Sequence, residues 1–295
     1  MTLARGTLAA LGFATLLAAC STTQKQPAGS RYAQSHDGAP DRAVDVSGIK
    51  DAIPRVEPKS RYGNPASYVV FGKRYHTLSS SDGYTQRGIA SWYGTKFHGH
   101  RTSSGEPYDM YQMSAAHKTL PLPTYARITN LNNNKSVIVK INDRGPFHDN
   151  RIIDLSYAAA AKLDILGNGT GLVQVEAIDP RSYSPQSTSP TLLASKPKVS
   201  GTIQTVKQTE PASSGYKPTL YLQVGAFANR GNAERLKKRL SSSELPGHLL
   251  ISEGLSNEKP IYRVRIGPLA SVETADRLTQ LLVAQGIESP RVVID

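Results

Sequence analysis

Two polar stretches decide how much of this chain can share one core. Residues 21 to about 66 and about 181 to 216 are rich in Ser, Gln, Pro and Gly and carry no apolar period. Neither can bury enough surface to offset the entropy lost on ordering it. The expected organisation is therefore a flexible tether over 20–66, a lead-in over 67–86, a first domain over 87–180, a flexible linker over 181–216 and a second domain over 217–295.

Within the first domain, TYARITN and KSVIVKIND are β-rich runs joined by Asn132-Asn133-Asn134, a turn-prone hairpin connection. Ser156 follows as an N-cap for the helix YAAAAKLDIL, with Gly167 as its stop, and GLVQVEAI supplies a closing strand. Many short strands with one or two helices point to a small β-barrel. The second domain repeats itself at an offset of 42 residues: Leu220, Leu222, Val224 and Gly225 line up with Tyr262, Val264, Ile266 and Gly267, and Ala233, Leu236 and Leu240 with Ala275, Leu278 and Leu282. Each half is a strand, a turn and an amphipathic helix, followed by the short strands HLLIS and RVVID. Two such halves give a four-stranded antiparallel sheet with both helices on one face, so the fold class is mainly β plus α+β.

The chain begins with one positive charge, Arg5, and an apolar run from Leu8 to Leu17. That run is too short to stay in a bilayer as a helix, which needs about 20 residues. Residues 1–19 read as a signal peptide, and Leu17-Ala18-Ala19-Cys20 resembles the lipobox of bacterial lipoproteins, which implies cleavage before Cys20 and lipid on its thiol. Cys20 is the only cysteine, so disulfides and cysteine metal sites are excluded. More than one acyl chain makes such an anchor durable, at about 0.8 kcal/mol per buried methylene. By the sorting rule of that class, Ser21 implies delivery to the outer membrane.

The formal net charge of +12 falls by only one when Arg5 leaves with the signal peptide. A basic protein favours anionic partners, and export turns the choice away from nucleic acid toward anionic lipid and cell-wall carboxylates.

Three side chains stand out as candidate chemistry. Asp143 ends a period-two row begun by Val137, Val139 and Ile141, which would set an acid at the end of the inward face. It is either a structural carboxylate paired with Arg144 or loop amides, or a general acid/base. Glu106 lies between Gly105 and Pro107, where the glycine permits a sharp turn and the proline extends the residue before it. That displays a carboxylate, solvated or functional. His117 can shuttle a proton near neutral pH, donate an orienting hydrogen bond, or be a core histidine satisfied by backbone. His98, His100 and His148 have no HExxH-like spacing, so no metal is expected.

The run GIASWYGTKFHGHRTSSGEPYDMYQMSAAHKTLPLPTYARITN, with VIVKINDRGPFHDNRIIDLSYAAA after it, closely resembles the double-psi β-barrel of the rare lipoprotein A (RlpA) family, septal lytic transglycosylases of the bacterial cell wall. The similarity is nearly continuous from Gly88 to Ile178, with His100 where the family typically has Arg. It implies an active centre of Asp143, Glu106 and His117, substrate contacts from Arg144, Trp92 and Tyr93, and no cofactor. The aromatic pair could stack on sugars, although the strand pattern allows one of them to be core. The implied reaction cuts the MurNAc–GlcNAc β-1,4 bond by attack of the muramic acid 6-hydroxyl on its own C1, leaving a 1,6-anhydro end. Asp143 is assigned as acid/base and Glu106 as the supporting carboxylate, with their order left open. The rival reading is a scaffolding lipoprotein that holds glycan at the septum without cutting it.

LYLQVGAF, NAERLKKRL and YRVRIGPL resemble the SPOR domain, which implies binding of septal peptidoglycan stripped of stem peptides. With Leu220, Leu222 and Val224 turned to the helices, Tyr221, Gln223, Ile261, Arg263 and Arg265 fall on the open face, suited to sugar hydroxyls and lactyl carboxylates. An RNA-recognition sheet has the same topology, but its aromatic pattern is absent. The implied partners are peptidoglycan, especially denuded strands, a membrane through the anchor, and proteins of the division machinery.

Overall fold

A computed structural model describes residues 34–148, 150–184, 218–241, 245–256, 258–287 and 290–295. The signal peptide, Cys20, the first part of the expected tether and the linker over 185–216 lie outside the described residues.

Six strands close into a barrel: β3 (Thr85–Tyr93), β4 (Ser114–His117), β5 (Thr124–Asn130), β6 (Ser136–Asp143), β7 (Arg151–Ser156) and β8 (Thr170–Ile178), in the order β3-β7-β4-β6-β5-β8. A short hairpin, β1 (Ser67–Val70) with β2 (Lys73–His76), precedes them. β5 and β6 form the expected hairpin across the Asn132–Asn134 turn. β3 pairs with β7 and β4 with β6 in parallel, which a tight hairpin cannot do, so residues 94–113 and 144–148 belong to crossover connections. The first crossover carries Glu106, while Asp143 ends β6 and His117 ends β4. Ala90, Ala115, Ile128, Val139, Ile141, Ile153, Leu155 and Val175 are all fully buried and fill the core.

The helix α1 (Tyr157–Lys162) starts where expected, with Ser156 Oγ accepting from the Ala159 amide at 3.2 Å. It stops earlier than Gly167. That glycine sits in a 3-10 turn (Leu166–Asn168), and Gly169, at φ 68°, makes the left-handed exit.

The expected tether departs most from observation. From Gln34 to Ala66 the chain is laid against the barrel as a strap. Asp37 accepts the amides of Gly94 and Lys96, and Asp51 that of Ile138 at 2.8 Å, while Ala52 donates to Ile138 O. Asn64 bonds both the amide and the carbonyl of Leu122, and Val46, Ile49 and Ala52 pack on the core. The strap is held by scattered polar bonds to residues distant in sequence, so it has no apolar period to signal it.

The second domain holds β9 (Leu220–Phe227), α2 (Arg230–Leu240), β10 (His248–Ser256), β11 (Lys259–Leu269), α3 (Val272–Ala284) and β12 (Arg291–Ile294), with an antiparallel sheet in the order β10-β11-β9-β12. Leu222, Ile266, Ala275 and Leu282 are fully buried between sheet and helices, as the repeat requires. Asn229 and Ser271 cap α2 and α3. In β9, Val224 is skipped, so Gly225 pairs with Val264 and Gln223 with Arg265. A Cβ at Gly225 would lie 2.7 Å from Phe227 and 2.8 Å from Leu236, which explains glycine there. The domains touch where Asn150 Nδ2 donates to Asp276 Oδ1 at 2.8 Å and Thr279 Oγ1 at 3.0 Å.

Candidate active site

One turn of the 94–113 crossover reaches both candidate carboxylates. Thr102 closes it by donating its amide and hydroxyl to Glu106 O, and Gly105 takes φ 96° within it. Ser103, in the same turn, donates its amide (2.7 Å) and hydroxyl (2.6 Å) to Asp143 Oδ1, which also accepts the Arg144 amide at 2.7 Å. The other oxygen, Oδ2, makes no hydrogen bond among the described residues. Sequence period alone would set Asp143 in the inward row. Instead, a bulge leaves Ile141 opposite buried Ala115 and puts Asp143 opposite Ala116. Ala116 belongs to a separate cluster with Tyr93, Tyr108, Met110 and Tyr157, between the crossover and the strands.

Three residues beyond Ser103, Glu106 accepts Lys140 Nζ on Oε1 at 2.8 Å and Asn142 Nδ2 on Oε2 at 2.7 Å. Burial pushes its pKa up, but these two donors outweigh that and hold it below the ordinary carboxylate value. Lys140 also bonds Glu57 of the strap at 3.1 Å. Glu57 in turn accepts from Tyr125 and Arg55, and against the opposing effect of burial these partners bring its pKa to about 2. A cavity of about 600 Å³ opens beside Glu106, walled by Tyr111, Lys140 and Asn142 and by strap residues including Lys50, Ile53 and Arg55. Asp143 does not line it.

The remaining expected site residues are engaged within the fold to different degrees. His117 is 2% exposed; its Nδ1 accepts the amides of Thr119 and Leu120, and Nε2 lies 3.0 Å from the Tyr84 hydroxyl. Burial, with Arg144 and Lys118 nearby, pushes its pKa down to about 3, which favours the neutral imidazole near pH 7. Arg144 donates to the carbonyls of Gly63, His117 and Leu120 and to Asn64 Oδ1. Its guanidinium ties the strap to the barrel. Tyr93 is buried and stacked on Tyr108, ring centroids 4.0 Å apart, whereas Trp92 is half-buried and meets Tyr157 in a T-shaped contact.

Lys140, Asn142 and Glu57 were not anticipated. The first two alternate with Val139 and Ile141, so their outward register was readable; Glu57 lies in a stretch without period and carried no signal. On the second sheet, Tyr221, Gln223, Ile261, Arg263 and Arg265 are all partly exposed. Arg265 is bound to Asp295 at 2.6 Å, and Arg291, also unanticipated, pairs with Gln223 from the other side.

Residues 85–176 match the family model described as lytic transglycolase, and residues 217–290 that of the SPOR domain. The endolytic peptidoglycan transglycosylase RlpA of Pseudomonas aeruginosa is 40% identical over 95% of this chain and 93% of its own length. Its namesake in Vibrio cholerae serotype O1 is 53% identical over 55% of this chain and 60% of its own. The solved RlpA SPOR domain from Pseudomonas aeruginosa is 39% identical, covering 25% of this chain and 96% of that one at a TM-score of 0.23. Similarity that runs through barrel, linker and second domain assigns the chain as a whole: it belongs to the RlpA family.

Proposed function

We propose that this chain is an endolytic peptidoglycan transglycosylase, cutting the MurNAc–GlcNAc β-1,4 bond with formation of 1,6-anhydro-MurNAc. The observation that carries the reading is the single turn that serves two carboxylates, Ser103 orienting Asp143 and Glu106 standing three residues on. Glycoside cleavage needs a proton for the leaving oxygen and negative charge for the developing oxocarbenium ion. Glu106, kept ionised by Lys140 and Asn142, suits the second task. Asp143, oriented through Oδ1 with Oδ2 free of hydrogen bonds among the described residues, suits proton exchange. His117 and Arg144 act as positioning residues: one supports the β4 end, the other clamps the strap.

The SPOR sheet delivers the barrel to glycan without stem peptides, with Gln223, Arg263 and Arg291 meeting hydroxyls and free lactyl carboxylates. Lipid on Cys20 holds the chain to the outer membrane on its periplasmic side, and SPOR binding concentrates it at the division septum, where division proteins are further partners. The stretch from Cys20 to Gln34 spans at most about 50 Å.

The test incubates the protein with denuded sacculi and examines the products by mass spectrometry. Soluble strands ending in 1,6-anhydro-MurNAc are expected. Reducing ends alone would make it a hydrolase, and no product under any condition would leave a glycan-binding scaffold.

A further inference from the structure

A third carboxyl group stands in this centre without a part in the mechanism above. Asp154 on β7 lies opposite Ala116 of β4, and Asp143 lies opposite the same Ala116 from β6. The bulge that shifts Asp143 is what brings both aspartates to one level of the sheet. With neighbouring strands about 4.8 Å apart, their α-carbons are separated by about 10 Å. Between them the sheet carries only the methyl of Ala116.

Asp154 is fixed through one oxygen. Oδ1 accepts the hydroxyl of Ser91, its neighbour on β3, whereas Oδ2 makes no hydrogen bond among the described residues, and the residue is largely buried. Gly145 lies over that oxygen with no side chain of its own: a Cβ there would sit 3.8 Å from Oδ2 and 3.8 Å from Ala116 Cβ. Tyr93 and Ala116 belong to the buried cluster that lies over this part of the sheet. Burial raises the pKa of Asp154 above the ordinary value, against the opposing effects of the Ser91 hydroxyl and of Arg151, Lys118 and His148. Two acids with different surroundings at one site are the usual means of separating acid from base duties.

We propose that Asp154 is a catalytic carboxyl group of the same centre, giving its proton to the glycosidic oxygen while Asp143 takes the proton of the muramic acid 6-hydroxyl. The role rests on the transglycosylase reading and divides between two aspartates the duties given there to Asp143. The C1–O4 bond breaks with its electron pair staying on O4, which takes the Asp154 proton. O6 supplies the pair for the new bond to C1 and loses its proton to Asp143. No water is consumed, and exchange with solvent restores both acids.

The test uses the full chain in detergent on denuded sacculi. Asp154→Asn is expected to lower the rate of 1,6-anhydro end formation at least about 100-fold, with sacculus binding and melting temperature kept. Ser91→Ala removes a donor that favours the carboxylate, so the alkaline limb of the rate profile should move to higher pH, a change that a merely structural role would not produce. This second variant decides the matter should Asp154→Asn fail to fold. An Asp154→Asn chain within about threefold of wild type, or an alkaline limb that Ser91→Ala leaves in place, overturns the role while the transglycosylase reading stands. A wild-type chain that makes no anhydro ends overturns both.

Discussion

Lys140 Nζ donates to Glu106 Oε1 at 2.8 Å while its other carboxylate partner, Glu57 at 3.1 Å, comes from the strap. The strap therefore helps set the charge of the candidate site. Lys140→Met removes the cation that helps hold Glu106 ionised, so the acid limb of activity should shift to higher pH. We expect a loss of about tenfold or more near pH 5 that shrinks toward pH 8, since one pKa unit is a tenfold change in ionised fraction on the acid side. A uniform loss across pH would count against this coupling.

Glu57 gives the strap a pH signature. Its folded pKa of about 2 lies below the ordinary 4.5, so its contribution to stability is complete above about pH 4.5 and is lost as pH falls toward 2. Melting temperatures measured between pH 5 and 3 should fall more steeply for wild type than for Glu57→Gln.

Substitution at the carboxylates should separate chemistry from folding. Asp143→Asn and Glu106→Gln are each expected to cut turnover by about 100-fold or more while melting within a few degrees of wild type. Unchanged activity in either removes that residue from the mechanism.

For His117 the sign runs through the neutral form. Its folded pKa of about 3 lies below the ordinary 6.5, so the unfolded chain binds the extra proton first and stability falls as pH drops from 6.5 toward 3. His117→Gln should lose that pH dependence and melt lower, with no new titration in the rate profile near pH 7.

Arg144→Lys keeps the charge and loses the fork that bonds three carbonyls and Asn64. A stability loss of about 1–3 kcal/mol is expected in denaturant titrations, from acceptors left unpaired. A raised KM at unchanged stability would instead restore Arg144 as a substrate contact.

The repeat of 42 residues, the Asn turn, the Ser156 cap and the alternation in β6 were legible because each is set by neighbours on one strand or helix. Such signals suffice for two domains, their strands and the outward row of Lys140 and Asn142. The strap was not legible, since Asp37, Asp51 and Asn64 bond to atoms 57, 87 and 58 residues away and bury little apolar surface of their own.

The candidate site divides the same way. Local sequence was enough to single out Glu106, displayed between Gly105 and Pro107, and Asp143, at the end of an apolar row. Which way Asp143 turns depends on the bulge against β4, a pairing between segments 27 residues apart, and the same pairing brings Asp154 level with it. Tertiary packing also decided that His117 is buried and neutral and that Arg144 is spent on backbone carbonyls. Residue type sets what a side chain can do, but its protonation and reach are set by burial and by partners that only the folded chain supplies.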